Sequence, residues 1–146
     1  MHRRRYLAGL STALGLAFAG CTGDGTEQSD PNEAYRNAFR TTLTDEGITI
    51  RRFEVGEGGV VELEYAPADA TEASIEESVR TAGRAYYDRI YGGWDVDRLD
   101  AAAFIDGSLV ATWRMESQWV RQHRDGDISR DELGEKIQAT VERHDE

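Results

Sequence analysis

The chain has 146 residues, 39% of them hydrophobic, and a formal net charge of −11. That length suits one domain with an N-terminal appendage, and that hydrophobic share excludes a multispanning membrane protein. The sign of the charge repels nucleic acid and anionic lipid and disfavours both as partners.

Arg3, Arg4 and Arg5 open the chain, and a weakly apolar stretch follows from Leu7 to Ala19. It is too short to cross a bilayer, which needs about 20 apolar residues. A basic head, a short apolar middle and small residues at the end predict a signal peptide over residues 1–20. The paired arginines with Tyr6 close behind resemble a twin-arginine (Tat) export signal, with His2 where that signal has Ser or Thr. Phe18-Ala19-Gly20-Cys21 resembles a lipoprotein lipobox, which implies that Cys21 becomes the new N-terminus and carries lipid. One acyl chain holds a protein only marginally, so stable anchoring implies two. Cys21 is the single cysteine, which excludes an intrachain disulfide. Residues 22–30 are polar and Gly-bearing and are expected to be a flexible tether.

A domain over residues 31–146 follows. Asp30, Pro31 and Glu33 form a helix start, Tyr35, Ala38, Phe39 and Leu43 recur at helical spacing, and Gly47 stops the run. Ile48–Val55 and Val61–Tyr65 read as a hairpin around Gly56-Glu57-Gly58-Gly59, with a bulge expected near Arg51-Arg52 and an end at Pro67. A second helix begins near Asp69 or Thr71, buries Ile75, Val79, Ala82, Tyr86 and Ile90, pairs Glu76 with Arg80, and ends at Gly92-Gly93. Asp97–Ile105 and Leu109–Met115 flank the turn pair Asp106-Gly107. That register places Ala102 and Phe104 beside Leu109, Ala111 and Trp113. Helical material follows from Ser117 to Arg124, and a last helix runs from Ser129 to about His144. Ser129 and Glu132 make a capping box there, Ile128 staples to Leu133, and Leu133, Ile137 and Val141 form the buried stripe.

The predicted order is α-β-β-α-β-β-α-α. Two hairpins joined into one antiparallel four-stranded sheet, with helices packed on one face, make an α+β domain.

Motifs for chemistry are few. Asp125-Gly126-Asp127-Ile128-Ser129 through Glu132 resembles the second half of a calcium loop, but Arg121 and His123 occupy its first two ligand positions, and a cation there opposes Ca²⁺. Gly126 as a turn and Ser129 with Glu132 as caps explain the same residues without metal. His123 and His144 have no His or Cys at ligand spacing, so no zinc site is readable. Tyr86 and Trp113 keep the phase of their elements and read as core. Tyr87, Tyr91 and Trp94 are off that phase and are the candidate ligand contacts. Paired carboxylates are so common in this chain that they read as a hydrated face. No phosphate loop, dinucleotide fingerprint or Gly-x-Ser-x-Gly is present, and no catalytic residue, metal or cofactor is expected.

Lys136 is the single lysine among 17 basic residues. At about 1 M salt the screening length falls to ~3 Å, which removes most self-repulsion. This composition resembles that of extreme halophiles. With the export signal, the lipobox, the tether and the ending Trp113 … Trp119 … Asp125–Glu132, the chain resembles small haloarchaeal lipoproteins grouped as domains of unknown function. The resemblance implies a location on the extracytoplasmic face of the cell membrane, with the membrane and the Tat machinery as partners. The expected function is a binding or interaction module for an unidentified protein or small molecule. The alternatives are a carboxylate-based hydrolase at the cell surface and a small solute-binding component.

Overall fold

The computed structural model describes residues 31–144. The export signal with Arg3 and Arg4, Cys21, the tether and the Asp30 cap all lie outside the described residues. The chain divides at Ala34, and the packing that follows belongs to the unit beginning at Tyr35. Among the described residues, no helix is long and apolar enough to cross a membrane.

Helix α1 (Pro31–Asp45) is followed by strands β1 (Thr49–Val55) and β2 (Val60–Ala66), joined by a short 3-10 turn at Glu57–Gly59. Helix α2 (Glu72–Tyr91) leads to β3 (Arg98–Ile105) and β4 (Ser108–Glu116). Helices α3 (Ser117–Arg124) and α4 (Arg130–Gln138) precede a two-residue strand, β5 (Glu142–Arg143).

The architecture is α+β, but the sheet differs from the one expected. It has five strands in the order β1-β2-β3-β4-β5, and it is mixed. The hairpins do not join antiparallel: β2 and β3 run parallel, from Val60 opposite Arg98 to Tyr65 opposite Ala103. The cause is α2, whose 20 residues return the chain to the end of the sheet where β2 began. Parallel neighbours require a crossover of this kind.

Local signals explain most boundaries. Gly47 leaves α1 with φ +91°. The β1–β2 register shifts between Ile50 and Arg52, where the change of apolar phase predicts it. The Thr71 side chain caps α2 by accepting from Ser74 N–H at 3.0 Å. At the far end, Gly93 has φ +119°, and a Cβ there would fall 2.6 Å from the Tyr35 hydroxyl. That hydroxyl donates to Gly92 O at 2.8 Å and ties α1 to the end of α2. Asp106 and Gly107 both have positive φ, as a two-residue hairpin of this hand requires. Ser129 and Glu132 form the reciprocal capping box.

Three further expectations are corrected. Arg80 pairs with Glu77 at 3.1 Å, one position nearer than Glu76. The buried face of β3 carries Leu99, Ala101 and Ala103 rather than Ala102 and Phe104. A register shift between Ala103 and Phe104 separates the phase of the turn from that of the strand body. The last helix stops at Gln138 instead of running to His144. The Thr140 hydroxyl accepts from Arg114 N–H at 2.9 Å and donates to Ile137 O at 2.7 Å. It thereby turns the chain out of the helix and onto the edge of β4.

The core lies between the helices and one face of the sheet. Phe39, Leu43, Val61, Tyr65, Tyr86, Leu99, Ala103 and Ala111 are fully buried in it. Two hydroxyl relays lock α2 to its neighbours. Ser78 spends its proton on Ile75 O, so Tyr65 donates to Ser78 Oγ at 2.9 Å and accepts from Trp113 Nε1 at 3.1 Å. Ser117 donates to Val96 O, so Tyr86 donates to Ser117 Oγ at 2.7 Å. Burial raises the Tyr65 phenol, and raises Tyr86 well above the ordinary tyrosine range.

Candidate functional site

Two concavities differ in chemistry. The first is a shallow trough of about 660 Å³ on the sheet face away from the helices. Its centre is low because Ala102 and Thr112 are small. Charged side chains surround it, and each of its three arginines is held by a carboxylate. Arg52 reaches Glu54 and Glu62 at 3.0 Å and Glu64 at 3.4 Å. Arg98 holds Asp100 at 2.9 Å, and Arg114 holds Glu116 at 3.1 Å. A face whose cations are already engaged offers little to an incoming charge.

The second is a groove of about 800 Å³ between α2 and α4, closed below by β4 and at one end by α3. Small-molecule sites run from about 300 to 1,000 Å³. The floor is apolar: Val79, Met115 and Leu133 are buried, and Ile137 is half-buried. Two glycines lie along its walls. A Cβ on Gly83 would meet nothing nearer than Met115 Sδ at 3.8 Å and Ile137 Cδ1 at 3.9 Å, and one on Gly134 would meet nothing within 4 Å. Each sits inside a helix, where Gly costs roughly 0.5–1 kcal/mol relative to Ala. Neither is required by a close backbone approach. Their effect is to leave the groove unfilled.

The rim is cationic. Arg80, Arg84 and Arg130 line the groove against one acidic side chain, Asp88. Arg80 is engaged with Glu77. Arg84 and Arg130 have no carboxylate partner among the described residues. In a chain of net charge −11, two unengaged guanidiniums over one apolar floor form a local reversal of sign.

Tyr87 and His123 meet at the same groove, with the phenol oxygen 2.7 Å from Nδ1. Which of them donates depends on the imidazole tautomer. Burial, then the neighbouring Tyr91 and Asp88, raise the Tyr87 phenol, against the opposing pull of Arg124 and Arg130. Tyr87 therefore stays protonated and remains a hydrogen-bonding group at neutral pH.

The structure separates the three aromatic candidates. Tyr87 lines the groove. Tyr91 stacks on it with ring centroids 6.0 Å apart and is 57% exposed. Trp94 is 2% exposed and packs among Tyr35, Phe39 and Tyr86 at 5.8–6.5 Å. Its phase misleads because Gly93 turns the chain beyond α2 and folds the indole back under α1. The Trp94 indole N–H has no hydrogen-bond partner among the described residues. Arg84 and Arg130 carry no mark in the sequence, and His123, which the sequence offers only as a histidine without a metal partner, instead meets the Tyr87 hydroxyl at the groove. The signal for the groove was the pair of mid-helix glycines, Gly83 and Gly134, which line the same concavity only once α4 packs on α2.

In the turn that resembles a calcium loop, Glu132 is occupied: its carboxylate accepts from Ser129 N–H at 2.8 Å. Among the described residues, no three His, Cys, Asp or Glu side chains gather as a metal site.

A family model described as "Domain of unknown function (DUF8159)" matches residues 29–146. The chain belongs to the DUF8159 family. No curated protein and no solved structure matches it. The DUF8159 match begins just before α1 and covers every element of the fold, including both walls of the groove.

Proposed function

We propose that this DUF8159 chain is a binding module of a haloarchaeal lipoprotein, exported by the Tat route and tethered outside the membrane through lipid on Cys21. Its ligand occupies the groove between α2 and α4. The observation that carries the reading is the pairing of an apolar floor with Arg84 and Arg130, which no carboxylate among the described residues engages. The hydrolase alternative draws no comparable support from Glu62, Glu64, Asp100 and Glu116 on the sheet face, which are held by Arg52, Arg98 and Arg114. Glu72, at the start of α2, is likewise held by Arg143, which keeps its carboxyl below the usual range.

Two measurements test the two halves. Cys21→Ser should release the domain into the medium or leave an uncleaved precursor in the membrane. Unchanged retention and mobility would remove the anchor from the reading. Gly83→Leu should fill the groove and abolish the thermal shift produced by any ligand recovered with the native protein. A ligand bound as tightly to that variant would place the seat elsewhere.

A further inference from the structure

We infer that the groove takes a free amphiphilic anion, a single carboxylate, sulfate or phosphate head on an apolar body. This rests on the groove being the ligand seat, and it names the class of molecule seated there.

Charge complementarity carries the argument. Arg84 and Arg130 rise from opposite walls, one on α2 and one on α4. A guanidinium forms two parallel charge-assisted bonds to a carboxylate or phosphate, a geometry that an anion between the walls would meet from both sides. Tyr87 stands close enough to Arg130 to be influenced by its charge, and its hydroxyl adds a neutral partner beside the head. The floor beneath holds no charged group: Val79, Gly83, Met115, Leu133 and Ile137 offer only apolar surface. A small inorganic anion would leave that floor uncovered, and a neutral hydrocarbon would leave both guanidiniums unmatched. A molecule with one acidic end and one apolar body satisfies both.

The source is the free monomer rather than a bilayer. Salt screens repulsion from an anionic lipid surface and from a free anion alike, so charge does not separate the two; a groove of about 800 Å³, floored by buried residues, has the dimensions of a seat for one molecule rather than for a lipid surface.

The test uses the full chain, isotope-labelled, with the amide resonances of Gly83, Gly134 and Tyr87 followed by NMR. Decanoate and decyl sulfate are added as monomers at fixed ionic strength. Decanol, decyltrimethylammonium and acetate serve as controls. Both anions should shift the groove amides saturably, decanol more weakly, and the cation and acetate not at all. Arg84→Gln with Arg130→Gln, both on exposed side chains, should weaken the two anions by about tenfold or more and leave decanol unchanged. Equal binding of decanol, or no loss in the double variant, overturns the anionic class while the groove stands as a seat. If no probe moves the groove amides, the seat itself is wrong. Shifts seen only with vesicles of anionic lipid, and not with monomers, overturn the free-ligand source.

Discussion

The phenol of Tyr86 donates to the hydroxyl of Ser117 at 2.7 Å, and both residues are fully buried. Ser117 in turn donates to Val96 O at 2.7 Å, so a single relay joins α2, the start of α3 and the loop before β3. The two partners are unequal. Tyr86→Phe leaves the Ser117–Val96 bond in place and should cost about 1 kcal/mol. Ser117→Ala strands both the buried phenol and the Val96 carbonyl and should cost about 1–3 kcal/mol. Urea unfolding of the two variants checks the order; a costlier Tyr86→Phe would contradict the relay.

Alkaline pH should act on the same region. Burial raises the Tyr65 and Tyr86 phenols in the folded state above the ordinary tyrosine value of about 10. A group whose folded pKa is raised contributes fully below the unfolded value and loses that contribution as pH climbs past it. Stability should therefore be level up to about pH 10 and fall above it. Tyrosinate absorbance should show these two phenols ionising only with unfolding. Smooth ionisation of all six tyrosines without unfolding would contradict this.

Salt should stabilise the domain. The net charge of −11 is self-repulsive in dilute buffer, and screening reduces that repulsion. The unfolding midpoint should rise with KCl. Arg52 is a sharper probe, because it lies between Glu54, Glu62 and Glu64 on adjacent strands. Arg52→Gln should destabilise at low salt, with the deficit shrinking as KCl is added. A deficit independent of salt would mean that Arg52 acts through packing.

Gly134 offers a gain. It lies within α4 with open space where a Cβ would stand, so Gly134→Ala should stabilise by roughly 0.5–1 kcal/mol. Thermal unfolding reads this directly. A loss would mean that α4 is held by something other than helix propensity.

The elements were legible where chemistry is local. Thr71, Gly47, Asp106-Gly107 and the Ser129–Glu132 box mark boundaries through bonds made within a few residues. The parallel seam was not legible, because the Val60–Arg98 pairing depends on where α2 delivers the chain, not on any neighbouring residue. The phase of β3 failed for a related reason: one shifted position at Ala103/Phe104 reverses which side chains face inward. Of the three aromatic candidates, Tyr87 lines the groove and Tyr91 stacks on it, whereas Trp94 joins the core; helical phase says nothing once Gly93 has turned the backbone. Nothing local marks Arg84 and Arg130, since only tertiary packing brings α2 and α4 to the same groove.

The parallel seam between β2 and β3 also governs assembly. A meander can zip outward from one tight turn to the next, each step adding a neighbour already at hand. Here the middle of the sheet has no such shortcut, for all of α2 intervenes between its partners. The contacts within each hairpin are close in sequence, whereas the contacts between them span the whole of the helix. Closing that seam is therefore expected to be the slowest contact to form, and lengthening the Pro67–Thr71 connector should slow refolding while costing the folded protein no more than about 0.6 kcal/mol per doubling of its length.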